Sequence, residues 1–173
     1  MNAAELRALQ APLKQRYQDD PASALVTLTA SAALDEGAIA CRVETGRALV
    51  EAGLHPATGG TGAQACSGDM LLQALVACAG VTLRAVATAL GIDLRGGTVR
   101  AAGDLDFRGT LGVGRSAPVG FRAIRLTFEL DSDAEATQLD KLIALTERYC
   151  VVLQTLRAPP PVTVDQTSPP ASA

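Results

Sequence analysis

The sequence predicts an α+β fold in which antiparallel sheets wrap around one long, buried central helix. Three observations carry that expectation. First, Ser67–Leu90 reads SGDMLLQALVACAGVTLRAVATAL, a run of good helix formers with no proline and, past its opening turn, a single glycine, Gly80. At about 1.5 Å per residue it spans roughly 30–35 Å, the width of a small domain. Its apolar residues, Met70, Leu71, Leu72, Leu75, Val76, Val81, Leu83, Val86 and Leu90, go most of the way round. Nearly every side therefore needs cover from sheet, from other helices or from a partner subunit. Second, strand-like segments come in pairs before and after this helix. The order β-β-loop-α-β-β-α-β argues meanders and not a doubly wound parallel sheet. Third, 48% of the 173 residues are apolar and 3% aromatic, enough for one domain with an aliphatic, alanine-rich core.

Taken in order, residues 3–18 place Leu6, Leu9, Leu13 and Tyr17 at helical spacing, and Pro12 is expected to kink this helix or start a second short one. Residues 1–20 read as a helical arm, docked on this chain or its partner. Residues 21–165 read as the single domain, and 166–173 as a small, polar, disordered tail. Ala24–Leu34 alternates as a strand, Asp35-Glu36-Gly37 turns, and Ile39–Val50 is a second strand, giving a hairpin or meander. Leu54–Gly68 is a glycine-rich loop, and Gly91 closes the central helix. Gly96-Gly97 reads as a turn before a strand from Thr98 to about Arg108, and Gly109–Gly120 is a connection. Phe121–Leu130 is a strand with Ile124, Leu126 and Phe128 on one face and Arg125, Thr127 and Glu129 on the other. Ser132-x-x-Glu135 is a capping box for a helix running to roughly Leu156. Its apolar face carries Leu139, Leu142, Ile143, Cys150 and Leu153, with Thr146 the one polar break. Pro159–Pro161 ends it, and Val162–Val164 is a short edge strand.

Several classes of function are disfavoured. Net charge is −3 and no lysine–arginine cluster suggests a nucleic-acid face. No uncharged apolar run reaches about 18 residues, so no membrane span is expected. The N-terminus carries Glu5, Arg7, Lys14 and Arg16 without an apolar signal region, so the expected compartment is the cytoplasm. There the four cysteines, Cys41, Cys66, Cys78 and Cys150, read as thiols and not as a disulfide framework. No metal is expected: His55 with Cys41, Cys66 and Cys78 has no Cys-x-x-Cys spacing behind it. Gly59-Gly60-Thr61-Gly62 lacks the Gly-Lys-Ser/Thr ending of a phosphate loop, and Gly112-x-Gly114 opens no helix.

Cys78 and Cys150 stand out. Each alone fits a small buried hydrophobe as well as a reactive group. Each lies on an apolar helical face, and if those faces bury against each other the thiols meet. The run Ser67–Thr82 has a small residue, the acid Asp69, a leucine-rich helix start, then Ala77-Cys78 and Val81-Thr82. It resembles the first cysteine motif of the osmotically inducible protein C and organic hydroperoxide resistance (OsmC/Ohr) superfamily. Cys150-Val151-Val152-Leu153-Gln154-Thr155-Leu156 resembles the second, where cysteine-proline-valine normally opens a helix segment; Val151 stands in the proline's place. The element order fits that family over residues 24–165.

The resemblance implies an OsmC-like fold and an intertwined homodimer, with two central helices packed together and two active sites at the subunit interface. Cys78 would match the peroxidatic cysteine, Cys150 the resolving one and Asp69 the acid near the helix start. In the reductases it resembles, a glutamate in this region holds an arginine that activates the thiolate. Arg42 and Arg47 are the candidates here, and both also fit solvated strand residues. Arg84, six residues past Cys78, faces elsewhere; Asp69, nine residues before it, falls on the opposite face and also fits a favourable charge at a helix N-terminus. The implied chemistry is thiolate attack on an organic hydroperoxide, trapping of the sulfenic acid by the second thiol, and regeneration by an external dithiol or dihydrolipoyl protein, without a bound cofactor. Cys66 reads as a substitute resolving thiol or as a loop thiol without a role, and Cys41 as packed in its strand. The alternative is a non-catalytic protein on the same scaffold, holding a small apolar ligand at the dimer interface.

Overall fold

The computed structural model of the protein describes residues 2–19, 31–34, 40–44, 49–112 and 116–166. Its elements run α1 (Ala3–Asp19), β1 (Ser31–Leu34), β2 (Ala40–Glu44), β3 (Leu49–Gly53), β4 (Ala65–Cys66), α2 (Ser67–Leu90), β5 (Gly96–Asp104), α3 (Phe107–Thr110), β6 (Ala123–Asp131), α4 (Ala136–Tyr149) and α5 (Val151–Arg157). The long helix α2 has the predicted bounds. Gly91 ends it in the left-handed conformation (φ 70°), and the Ile92 N–H donates back to the Ala87 carbonyl at 2.9 Å.

β5, α4 and α5 pack on α2, and α1 docks against it as well, an arm on its own chain. The buried residues of α2 are Leu75, Ala79, Leu83 and Ala87, a stripe with a spacing of four that one layer can cover. All-round burial is not reached within the single chain: α1 contacts α2, with Gln10 beside the groove along Val81, yet Val81 stays 73% exposed. By length and composition alone α2 would suffice to cross a membrane, and the core helix of a domain passes the same test.

The first sheet has the order β1-β2-β3-β4. β1, β2 and β3 form the predicted antiparallel meander, and β4 joins β3 in parallel, Ala52 opposite Ala65. The predicted strand Ile39–Val50 is divided between β2 and β3, with Glu44 opposite Leu49. Gly46, a turn-type residue, lies between them in the sequence. Residues 24–30, the turn at 35–37 and Arg47 lie outside the described residues. Within Leu54–Gly68, the predicted loop, a 3₁₀ turn forms over Pro56–Thr58 as well as β4.

The second sheet pairs β5 with β6 from Gly96 opposite Asp131 to Asp104 opposite Ala123. Gly96 and Gly97 are therefore the first rungs of a strand and not a turn. Gly97 has φ 148°, and a Cβ there would meet the Glu129 carbonyl oxygen at 2.4 Å, so only glycine fits that rung. β5 also stops before Arg108, because Asp106 accepts from the Arg108 N–H at 3.2 Å and caps α3. β6 alternates as predicted. Its exposed side carries ion pairs diagonal to the register, Arg125 with Asp104 at 2.7 Å and Arg100 with Glu129.

The helices differ from expectation at their ends. α1 runs through Pro12 as one helix, not two. The capping box lies three residues later than predicted: Glu135 is the N-cap, and its N–H donates to the Gln138 side chain at 3.2 Å. Ser132 follows directly on β6 and instead donates to the Asp93 carbonyl at 2.6 Å. The final helix is broken at Cys150 into α4 and α5. Val162 and Val164 form no strand; they lie in exposed coil. Of the predicted tail, residues 167–173 lie outside the described residues. Two apolar clusters result, one around Leu83, Ala87, Leu94 and Leu142, the other around Leu75, Ala79 and Cys150.

Candidate active site

The site is built at a corner. Cys150 is the last residue of one helix and the first of another, with φ −73° and ψ 104°. Its N–H donates to the Thr146 carbonyl at 2.9 Å, closing α4, and its carbonyl accepts from the Gln154 N–H at 2.9 Å, opening α5. Two β-branched residues, Val151 and Val152, follow the break, and they hold a helix less well than unbranched ones. The turn keeps Leu153 and Leu156 packed on the cluster of Leu75, Ala79 and Cys150, which Ile124 and Leu126 of β6 also join. Thr146, the polar break on the apolar face, is fully buried and satisfied by its own helix, its hydroxyl donating to the Leu142 carbonyl at 2.8 Å.

The corner brings Cys150 against Cys78, midway along α2, to 3.4 Å. Both are free thiols; Cys150 is fully buried and Cys78 partly so. Their surroundings separate their acidities. Burial raises the Cys78 thiol, but it is outweighed by the Val152 N–H, the Cys150 thiol, the Val151 N–H and the Thr82 hydroxyl, all donating to the sulfur. Cys78 is held below the ordinary thiol value. Burial pushes Cys150 up, the neighbouring Cys78 pushes it further, and the N–H groups of Leu153 and Val152 do not offset this. The one proton of the Thr82 hydroxyl is shared between the Cys78 sulfur and the Cys78 carbonyl, the latter 2.8 Å away and one helical turn back.

Among the described residues singled out in the sequence, the fold brings these two cysteines together and gathers Asp69, Cys66 and His55 apart from them. Asp69 is in the exposed first turn of α2, nine residues from Cys78 and on the opposite face. There it shares the wall of a cavity of about 370 Å³ with His55, Cys66 and Phe107. Arg42 lies on β2 opposite Ala33 and Glu51, with its side chain outside the described part, as is that of Cys41; Arg47 is outside the described residues. Arg84 is engaged away from the thiols, donating to the Leu94 carbonyl. Cys66 is the N-cap of α2 and partly buried. His55 caps the 3₁₀ turn, Nδ1 accepting from the Ala57 N–H at 3.0 Å, and its ring stacks on Phe107 at 4.8 Å. No three metal-ligating side chains gather among the described residues. The sequence reading missed the backbone donors at 151 and 152. Their one visible signal was the valine at a position where the resembled motif has proline, which carries no N–H.

A long helix crossed by a two-stranded sheet, with a broken C-terminal helix that sets one cysteine against another, defines a thiol-bearing α+β protein. Residues 60–165 match the family described as OsmC-like protein, and the chain belongs to that family. Solved structures share the fold. An OsmC-like protein from Mycoplasma pneumoniae superposes with a TM-score of 0.65 at 19% identity, over 78% of this chain and 89% of that one. An organic hydroperoxide resistance protein OsmC from Legionella pneumophila gives 0.60 at 18% identity, over 78% and 91%. An organic hydroperoxide resistance protein from Elizabethkingia anophelis gives 0.57 at 19%, also over 78% and 91%. No curated protein matches the sequence.

Proposed function

We propose that the protein is a thiol-dependent peroxidase that reduces organic hydroperoxides through Cys78, with Cys150 as the resolving thiol. The observation that supports this best is the 3.4 Å approach of two thiols whose acidities are driven in opposite directions. The Cys78 thiolate attacks one peroxide oxygen: an S–O bond forms, the O–O bond breaks, and the alkoxide takes a proton from water and leaves as the alcohol. Cys78 is then a sulfenic acid. The Cys150 sulfur attacks it, an S–S bond replaces the S–O bond, and the hydroxyl leaves as water with the Cys150 proton. An external dithiol reduces the disulfide in two exchanges and leaves oxidised. Relatives named for organic hydroperoxide resistance, and the apolar residues Leu75, Ile124 and Leu126 in the cluster around the thiols, favour an organic peroxide over hydrogen peroxide.

A homodimer belongs to the same reading. Val81, Tyr149 and Val151, 73%, 57% and 71% exposed, flank the two cysteines in sequence and present apolar surface for a second copy to cover. Arg42 or Arg47, from either copy, is the proposed guanidinium that steadies the departing alkoxide. A groove of about 520 Å³ on the open side of α2, walled by Val81, Ala85, Leu145 and Tyr149, favours the rival reading of an apolar-ligand carrier with packed thiols.

The two readings part on one experiment. With one equivalent of cumene hydroperoxide, intact mass and peptide mapping should find a Cys78–Cys150 disulfide within seconds. Cys78→Ser should abolish the reaction, and Cys150→Ser should leave a sulfenic acid that dimedone traps. A wild-type protein that stays reduced in excess peroxide overturns the enzyme and leaves the carrier.

A further inference from the structure

The corner at Cys150 is tied by one residue of α4. Glu147 stands three positions before it and takes two bonds from α5. Its backbone carbonyl, one of the four that a helix C-terminus leaves open, accepts from Gln154 Nε2 at 2.7 Å. Its carboxylate pairs with Arg157 Nη1 at 2.8 Å. Among the described residues these are the side-chain hydrogen bonds that join α4 to α5.

α5 packs on α2 and leaves a cleft on its β6 side. A cavity of about 380 Å³ lies between α5 and β6, walled by Leu75, Ile124, Leu126 and Leu153, with Glu147 and Arg157 also lining it. The inner face of α5 packs Val152, Leu153 and Leu156 on the cluster of Leu75, Ala79 and Cys150, and the bonds to Glu147 fix its outer side relative to α4. Position matters here, because the two sulfurs must close from 3.4 Å to about 2.05 Å to form a bond. A small rotation of α5 about the corner alters that closing distance.

We infer that Glu147, Gln154 and Arg157 form a clasp that positions Cys150 to close the disulfide on Cys78. The inference rests on the peroxidase reading for its chemical step, in which Cys150 displaces water from the Cys78 sulfenic acid before a second peroxide oxidises it further. The three residues touch no reacting atom. They act through the corner and are positioning residues.

Glu147→Gln and Arg157→Gln each break the ion pair. Glu147→Arg combined with Arg157→Glu rebuilds it reversed and keeps the Gln154 bond, which goes to backbone. Gln154→Ala removes that other bond from the exposed side. One measurement is the fraction of Cys78 that dimedone captures after one equivalent of hydroperoxide. The other needs no peroxide: the protein is oxidised with diamide and its Cys78–Cys150 disulfide is equilibrated against dithiothreitol. The pair is solvent-exposed, so each single variant should raise dimedone capture and lower the disulfide equilibrium constant by about two- to fivefold. The reversed pair should return both toward wild type. Melting temperatures recorded on every variant separate lost positioning from lost folding. Single variants with the wild-type equilibrium constant, or a folded reversed pair that behaves like the single variants, overturn the clasp. A wild-type protein inert to hydroperoxide removes the peroxidase reading alone, and the dithiothreitol equilibrium still decides on the clasp.

Discussion

Cys78 and Cys150 begin with the same thiol and end with different acidities because different groups face them. Backbone N–H groups of Val151 and Val152 point at Cys78 from the start of α5, where the first N–H groups of a helix have no carbonyl of their own. A thiolate at 78 satisfies them, and the Cys150 thiol donates to it as well. The reactive form of Cys78 is then present above its lowered pKa and is lost as pH falls through that value. Iodoacetamide labelling followed by peptide mass should find Cys78 alkylating at lower pH than Cys150, with a midpoint below the ordinary thiol range. Val151→Pro tests the donor directly. Proline suits the first position of a helix, and the extended backbone of Cys150 suits the residue before it. The fold should hold, one N–H is lost, and the Cys78 midpoint should move up with slower alkylation at neutral pH. An unchanged midpoint would mean that Val151 contributes nothing. Both cysteines were legible in the sequence as residue types, but their order of acidity was not, since the groups that set it are main-chain atoms on another element.

At the scale of elements, period decided what could be read. β6 shows strict alternation and α2 an unbroken run of helix formers, and both were placed nearly to the residue. Breaks were harder. Gly96-Gly97 looks like a turn but is held extended by pairing with Leu130 and Asp131, and the apolar face of α4 continues into α5 with only the β-branched pair Val151-Val152 to mark the break at Cys150. The stability of these elements comes from contact across them. Leu142 is fully buried in α4 against Leu83, Ala87 and Leu94. Leu142→Ala should therefore cost about 2–5 kcal/mol in urea unfolding, the lost transfer energy plus a cavity. A cost below 1 kcal/mol would mean that this cluster is not the centre of the core.

For the whole molecule, α2 is only partly covered by its own chain, and Val81 at its middle stays 73% exposed. On the proposed homodimer, Val81→Glu would set a carboxylate against a second apolar helix, and light scattering after gel filtration should register a shift from dimer to monomer. A wild-type protein that is itself monomeric would remove the partner from the reading. Oxidation offers a second global measurement. A Cys78–Cys150 bond closes a loop of roughly 70 residues, which should stabilise the folded protein by about 2–4 kcal/mol over the reduced form, measured as a higher urea midpoint.

Unaided, the sequence determined the long helix, the alternating strands, the presence of two thiols on apolar faces and the family they resemble. All of these are written in short-range spacing, which acts before any tertiary contact exists. Tertiary structure alone decided that the chain turns at Cys150 and brings it to 3.4 Å from Cys78. It also decided that Asp69 lies away from that pair and that α2 keeps an open side. The direction of a chain at a corner is a compromise among everything packed on it, here α2 beneath and Glu147 across, and no local pattern records the outcome.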